Sequence, residues 1–285
     1  MHGAQLDLFG DRHLLLEDAR RALAEGRTQD ACRELFRLRD CYPEDPGIAA
    51  ELDVARTLML RLGKIEAMAP DERPRRLVEL ARATPAGLRA PLLRRAAVAL
   101  RQASGPTALL DGKAASALLL EAGDAHTAWA TAAEAARDSP RARFLAYLAD
   151  VEYRLDHKNR ARARYREALA LDPYDVDWDE LADDDVKALP DIARTELELE
   201  DGRAWAAPVG VVLKVLPVGD PPPSPTPHGG VPDRGHPRAL EHARGFLRAL
   251  VRVTQDRGVN AIDARRQMRT LAPQLLAAYL ETLAD

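Results

Sequence analysis

Histidine, cysteine and glycine motifs are the first places to look for chemistry, and here none has the spacing that a reaction needs. The seven histidines fall in no HExxH or Cys–His pattern that would hold a metal ion. No G-x-S-x-G elbow, P-loop or G-x-G-x-x-G turn is present. We therefore expect no catalytic residues, no metal and no cofactor, and a protein that is not an enzyme. Catalysis in the C-terminal part is the weaker alternative.

Carboxylates crowd one short segment, which raises the question of a calcium site. Eight of them fall between positions 172 and 185, namely Asp172, Asp175, Asp177, Asp179, Glu180, Asp183, Asp184 and Asp185. Counted from Asp175, an EF-hand loop requires Gly at its sixth position and Glu at its twelfth, where Glu180 and Val186 stand. The favoured interpretation is therefore a solvated acidic turn that caps the next helix, with metal binding as the alternative.

The densest basic run lies directly upstream of this acidic segment. It consists of Arg154, Lys158, Arg160, Arg162, Arg164 and Arg166. On a helix, positions 160 and 164 point away from 158, 162 and 166, so the charge surrounds the helix and forms no single stripe. A solvated face paired with the acidic turn is favoured over nucleic-acid contact. Because the net charge is −4, no direct nucleic-acid partner is expected.

Composition indicates a folded protein of the cytoplasm. Of the 285 residues, 46% are apolar and 30% charged, and Ala, Leu and Arg dominate, which favours helices over sheets. The two cysteines, Cys32 and Cys41, fit a reducing compartment better than a disulfide framework. No leader pattern and no apolar stretch long enough for a membrane span is present. We expect no membrane contact.

The apolar spacing predicts a succession of helices from Asp11 to Pro173. One hairpin runs from Asp11 to Pro43 with its turn at Gly26, a second surrounds Gly123 and ends at Pro140, and a third ends at Pro173. Residues 46–104 add three more helical stripes, which contain Leu52, Ala55, Leu58 and Leu62, then Leu77, Leu80 and Ala81, then Leu92, Leu93, Ala96 and Leu100. The predicted fold class is mainly all-α, with residues 11–173 as one repeat array.

These hairpins resemble the tetratricopeptide repeat, a unit of about 34 residues. In the third hairpin the matching positions are Leu145, Leu148, Ala149, Ala161, Tyr165, Ala168 and Pro173, while Glu152 stands where the repeat has an aromatic residue. The second hairpin matches at Gly123, Ala128, Ala135 and Pro140, but its first helix, from about Lys113 to Ala122, departs from the pattern. The resemblance implies a right-handed array of antiparallel helical hairpins whose concave face binds a peptide or protein. A non-repeating bundle with Ala-rich crossings is the alternative.

Beyond Pro173 three further regions follow. Residues 174–219 hold the acidic turn and a mixed segment, in which "VGVVLKVL" near 204–216 is either a short β segment or a buried helical turn. Residues 220–237 are rich in proline and glycine and are interpreted as a linker or loop. Residues 238–285 predict two helices, the second kinked near Pro273, that fold back on the array. The stripe Arg244, Arg248 and Arg252 could alternatively contact an acidic partner.

The N-terminal segment 1–10 contains a short peptide that matches a known protein-binding motif. Its residues Gln5, Leu6, Asp7, Leu8 and Phe9 resemble, at every position, the pentapeptide QL[SD]LF by which bacterial polymerases and repair proteins dock on the replication sliding clamp. The resemblance implies that Leu8 and Phe9 fill a hydrophobic pocket, that Leu6 packs beside it, and that Gln5 hydrogen-bonds at a second subsite. We expect an extended peptide ahead of a helix capped by Asp11.

Two functions therefore stay open from the sequence. In the first, a non-enzymatic adaptor docks on the DNA polymerase sliding clamp through this peptide while its concave face holds a second protein. In the second, a general scaffold unrelated to replication binds a peptide or protein, and the pentapeptide packs as an N-terminal cap on the first hairpin.

Overall fold

The computed structural model describes residues 3–219, 237–255 and 259–283, and these residues are predominantly helical. The predicted all-α class is confirmed. In chain order the elements are α1 (Gly3–Ala24), α2 (Thr28–Cys41), α3 (Pro46–Glu66), α4 (Arg73–Arg82), α5 (Arg89–Ser104), β1 (Leu109–Leu110), β2 (Lys113–Ala114), α6 (Ala115–Glu121), α7 (Ala125–Asp138), α8 (Ala142–Arg154), α9 (Lys158–Leu171), α10 (Asp184–Lys187), α11 (Leu189–Thr195), α12 (Gly202–Val212), α13 (Pro237–Gln255), α14 (Val259–Leu271) and α15 (Pro273–Glu281).

The chain divides into two compact units, Met1–Ala128 and Trp129–Asp285. The first unit begins with the predicted hairpin, α1 against α2. Gly26 makes its turn with a positive φ of 78°, and a Cβ at this position would stand 2.8 Å from the Pro91 side chain. Glycine is therefore required here both by conformation and by space. The core of this hairpin and α3 consists of Leu16, Ala19, Ala22, Leu23, Ala31, Cys32, Leu35, Leu38, Ile48, Leu52 and Ala55.

The three helices predicted in residues 46–104 are confirmed as α3, α4 and α5. Prolines stand in the first turns of α3 and α4, where a helix tolerates a missing N–H. The Asp45 carboxylate caps α3 by accepting from the backbone N–H groups of Gly47 (2.9 Å) and Ile48 (3.4 Å). All of the apolar positions that the sequence assigned to these three stripes are buried.

The helix predicted from about Lys113 starts later than expected, because a small hairpin precedes it. Strands β1 and β2 pair antiparallel, Leu109 opposite Ala114 and Leu110 opposite Lys113. The two residues between them, Asp111 and Gly112, both have positive φ (49° and 85°), as a two-residue Asp-Gly hairpin turn requires. Helix α6 then begins at Ala115.

In the second unit, α8 and α9 form the third predicted hairpin, and its helices are confirmed. Ala149, Ala161, Tyr165 and Ala168 are fully buried between them. The alanines allow the two helix backbones to approach closely. This hairpin shares one apolar core with α11, α12 and the helices α13 to α15.

Of the two alternatives for residues 204–216, the short β segment is wrong and the buried helical turn is right, because α12 contains most of this stretch. Asp201 caps this helix by accepting from the N–H of Ala204 at 3.2 Å, and every residue from Ala204 to Val212 is buried. The β-branched residues that suggested a strand are accommodated because a helix buried on all sides can be apolar all round. Tertiary burial here overrides local propensity.

The C-terminal helices pack on the second unit as predicted, with two refinements. Pro273 begins a separate helix, α15, so the expected kink is a break between α14 and α15. Arg244 is buried, and its Nε donates to the carbonyl of Ala170 at 2.9 Å, so this residue of the arginine stripe caps the end of α9. The predicted linker lies outside the described residues apart from Pro237.

The prediction of an extended peptide over residues 1–10 also needs correction. The α1 backbone is helical from Gly3, so Asp11 is not its N-cap. Glutamine, leucine and phenylalanine are all compatible with a helix, and Gly10 costs about 1 kcal/mol inside one without forcing a break. No described helix combines the length and the apolar character needed to cross a membrane.

Candidate functional site

The predicted site residues Gln5, Leu6, Asp7, Leu8 and Phe9 lie in the N-terminal turns of α1. Their backbone is described, whereas their side chains lie outside the described part. The contacts that can be described around the site are therefore those of the next residues of α1, which begin at Arg12.

Arg12 is the first residue of α1 whose contacts are described, and it ties the helix to the start of α3. Its guanidinium is hydrogen-bonded to the Asp45 carboxylate and lies 5.8 Å from the centre of the Tyr42 ring. The hydrogen bond from Arg12 lowers the pKa of the Asp45 carboxyl, and the α3 N–H groups that it caps act in the same direction. One carboxylate thus joins α1 to the cap of α3.

From Leu16 onward α1 belongs to the core of the first unit. Leu16, Ala19 and Leu23 pack with buried residues of α2 and α3. The pentapeptide ends at Phe9, three positions before Arg12, which corresponds to about one helical turn. Its place is directly ahead of the part of α1 that Arg12 and the core hold in position.

A shallow groove lies between α1, α3 and the short turn before α5. It has a volume of about 280 Å³ and is lined by Arg20, Leu23, Ala50, Glu51, Val54 and Leu88. Across its rim Arg20 donates to Glu51 from Nη2 (2.6 Å) and from Nε (3.0 Å). The hydrogen bond to Glu51 raises the pKa of Arg20. The groove offers an apolar floor and one ion pair, which suits contact with a peptide and contains no nucleophile.

A second polar cluster is buried in the other unit, between α8, α9 and the acidic segment. Asp150 on α8 accepts the hydroxyl hydrogen bond of Tyr165 on α9 and the backbone N–H of Ala182 at 2.9 Å. Burial raises the pKa of Asp150 to about 7, although both hydrogen bonds and the nearby Arg154 oppose the shift. Burial and the Asp150 charge also raise the pKa of Tyr165.

The pairing predicted between the basic run and the acidic turn is confirmed, but the acidic turn is less solvated than expected. Arg162 donates from Nε to Asp183 at 2.8 Å and from Nη2 to Asp185 at 2.6 Å. Asp183 is completely buried and accepts from the N–H of Asp185, so it also caps α10. Asp175 is held between two arginines, with Arg141 Nη2 at 2.6 Å and Arg143 Nε at 2.9 Å.

Sequence reasoning missed the buried carboxylates of α8. The repeat pattern assigns no role to Asp150, and Glu152 stands in it only as a departure from the expected aromatic residue. Glu152 is buried and pairs with Arg160 at 3.0 Å, while Trp129 Nε1 donates to it at 3.4 Å. The available signal was an acidic residue within an apolar helical stripe. Within the described residues, no three His, Cys, Asp or Glu side chains group closely enough to hold a metal ion.

Comparison with known proteins gives no match, whether to a family model, to a curated protein or to a solved structure. The resemblances to the tetratricopeptide repeat and to the clamp-binding peptide therefore rest on the residues themselves.

Proposed function

We propose that this protein is a non-enzymatic adaptor that docks on the bacterial replication sliding clamp through Gln5, Leu6, Asp7, Leu8 and Phe9. The observation that carries the proposal is the match of this pentapeptide to the clamp-binding pattern at all five positions. The adaptor works in the cytoplasm, where the clamp is found.

The position of the peptide supports this proposal. Arg12 bonds to Asp45, and α1 belongs to the core of the first unit from Leu16 onward, so the helix directly after the peptide is held in position. Burial of Leu6, Leu8 and Phe9 on a partner would contribute roughly 5–9 kcal/mol before the cost of reordering the segment. A Kd in the micromolar range is the expected result.

We further propose that the hairpins form a right-handed, tetratricopeptide-like array whose concave face holds a second protein. The support is the recurrence of helical hairpins, the left-handed glycine turns at Gly26 and Gly123, and the buried alanines at the crossings. In the first unit, the groove bounded by Arg20 and Glu51 is a surface that suits contact with a peptide.

One observation favours the alternative function, a scaffold in which the pentapeptide caps the first hairpin. The α1 backbone is helical from Gly3, so the pentapeptide is part of the helix whose later turns pack in the first hairpin. Under this alternative, Leu8 and Phe9 contribute to the stability of the first unit and have no role on a clamp.

Calorimetric titration of the full chain into purified clamp separates the two functions. We expect micromolar binding that weakens at least about 100-fold in the Leu8→Ala, Phe9→Ala variant, because two large apolar contacts are lost. Leu14→Ala is the matched control, since Leu14 lies on the same helix and is 63% exposed. Absence of binding by the intact protein at high micromolar clamp contradicts the adaptor. A lower melting temperature of the double variant, without clamp binding, supports the cap.

A further inference from the structure

Residues 73–101 carry a local excess of positive charge that the composition of the whole chain conceals. This segment has eight arginines and a single acid, Glu79, a net charge of +7 within a protein whose net charge is −4. It comprises α4, α5 and their short connection, and the two helices pack against each other. The arginines are Arg73, Arg75, Arg76, Arg82, Arg89, Arg94, Arg95 and Arg101.

The basic run on α9 does not offer a comparable surface. There, Arg160 pairs with the buried Glu152 and Arg162 with the buried Asp183, while Arg166 is itself buried. Half of the six basic residues in this run are therefore engaged with groups of their own unit.

Four arginines of the α4–α5 pair are exposed and held weakly, and we call them the arginine surface: Arg75, Arg76, Arg82 and Arg94. Three make exposed ion pairs, which lie at 2.5 Å for Arg75 to Asp111, 2.7 Å for Arg76 to Glu79 and 3.8 Å for Arg94 to Asp124. Arg82 makes no ion pair within the described residues. Exposed pairs of this kind add little to stability because water and salt screen them, so a stronger anion can replace the carboxylate.

Three other arginines of the segment are structural and are excluded from this surface. Arg73 donates from Nε to the carbonyl of Met68, and Arg89 from Nε to that of Thr84, both at 2.9 Å. Arg95 donates from Nη2 to the carbonyl of Gly26 at 3.0 Å. These bonds hold turns in place and leave the four members of the arginine surface for an external partner.

The chemistry of the segment favours a phosphate backbone over an acidic protein. Residues 73–101 contain no aromatic residue, and Val98 is their one large apolar side chain that is markedly exposed. Protein interfaces need an apolar or aromatic centre, whereas nucleic-acid interfaces are polar, positively charged and made largely of arginine and lysine contacts to phosphates. Arg75 and Arg82 lie seven positions apart on one helix face, about 10.5 Å along its axis.

We propose that the arginine surface on α4 and α5 binds the phosphate backbone of double-stranded nucleic acid without reading its bases. This proposal revises the expectation, drawn from the net charge, that no nucleic acid is contacted. It does not depend on clamp docking, because all four arginines lie far along the chain from the pentapeptide.

The test measures fluorescence anisotropy of a labelled 30-base-pair DNA duplex titrated with the full chain at 50–200 mM salt. Four phosphate contacts predict that log K falls with log salt at a slope of about −3 to −4. In the variant R75Q, R76Q, R82Q and R94Q, we expect affinity at 50 mM salt to fall at least about 10-fold and the slope to approach zero. Thermal unfolding checks that this variant, changed at exposed positions alone, still folds.

The matched control removes the same charge from exposed arginines of α13 and α14, with R248Q, R252Q, R265Q and R269Q. We expect its affinity and slope to equal those of the unchanged protein. Absence of DNA binding at 50 mM salt overturns the proposal. An equal loss of affinity in both variants also overturns it, because this would indicate an effect of net charge. Displacement of the DNA by polyglutamate, added at a carboxylate concentration equal to the phosphate concentration of the DNA, would indicate an acidic protein partner instead.

Discussion

Tyr165 on α9 donates its hydroxyl hydrogen bond to the buried carboxylate of Asp150 on α8. The same carboxylate oxygen accepts the N–H of Ala182, so it joins the third hairpin to the acidic segment that follows it. A buried acid in this position makes the second unit sensitive to protonation, because ionisation leaves a charge where water cannot solvate it.

Asp150 predicts a specific dependence of stability on pH. Burial raises its pKa to about 7, so the native state retains a proton that the unfolded chain has already released above about pH 4. The stability from this proton is complete below about pH 4 and is lost as the pH rises through 7. Asp150→Asn keeps an acceptor oxygen for both donors and removes the charge. We expect its melting temperature to exceed that of the unchanged protein by at least about 3 °C at pH 8, and by less at pH 5.

Asp179→Asn is the control for this comparison, since Asp179 is an exposed carboxylate in the same acidic segment. Its effect should be small at both pH values. Scanning calorimetry at pH 5 and pH 8 measures all three proteins. An equal loss of stability at both pH values in Asp150→Asn would show that the charge of Asp150 is not the cause.

Asp183 is expected to be a major determinant of the stability of the second unit. Its carboxylate is completely buried, accepts from Arg162 and caps α10. Asp183→Ala should lower the free energy of unfolding by about 2–3 kcal/mol, because the ion pair of a buried carboxylate with Arg162 and a helix cap are lost together. The neighbouring Asp184→Ala, an exposed change, should cost less than about 1 kcal/mol. Urea unfolding of both variants measures the difference, and equal losses would refute this role.

Gly202 is predicted to tolerate no side chain. A Cβ at this position would stand 2.0 Å from the carbonyl oxygen of Pro190, which is backbone and cannot rotate away. Gly202→Ala should therefore destabilise the second unit by at least about 2 kcal/mol. Gly63→Ala provides the opposite expectation: nothing lies within 4 Å of its Cβ position inside α3, so a gain of roughly 0.5–1 kcal/mol is expected. Thermal unfolding of both variants measures whether stability falls in Gly202→Ala and rises in Gly63→Ala.

The sequence predicted those features that depend on local periodicity. The apolar stripe of Leu52, Leu58 and Leu62 identified α3, and Gly26 marked a turn that proved to need a positive φ. Such signals lie within a few residues of one another. The sequence did not decide between a strand and a helix for α12, because its β-branched residues fit both. Burial on all sides decides for the helix.

The polar clusters could not be predicted in the same way, because their partners are distant in sequence. Asp150 bonds to Tyr165 and Ala182, which lie 15 and 32 positions away. Nothing in the residues beside Asp150 indicates these partners. The helix over residues 3–10 was not predicted for a different reason. Asp11 has a side chain suited to an N-cap, which suggested that the helix begins there, but Gly10 allows the helix to continue through it.

Displacement by a synthetic peptide shows whether residues 5–9 are the element that docks on the clamp. A synthetic peptide covering Ala4 to Gly10 is added to the complex of the full chain with labelled clamp, and a peptide with Leu8 and Phe9 replaced by alanine serves as the control. Docking through residues 5–9 predicts complete displacement by the first peptide, with an inhibition constant within about 10-fold of the Kd of the full chain, and no displacement by the control. A complex that forms but resists saturating peptide would contradict it.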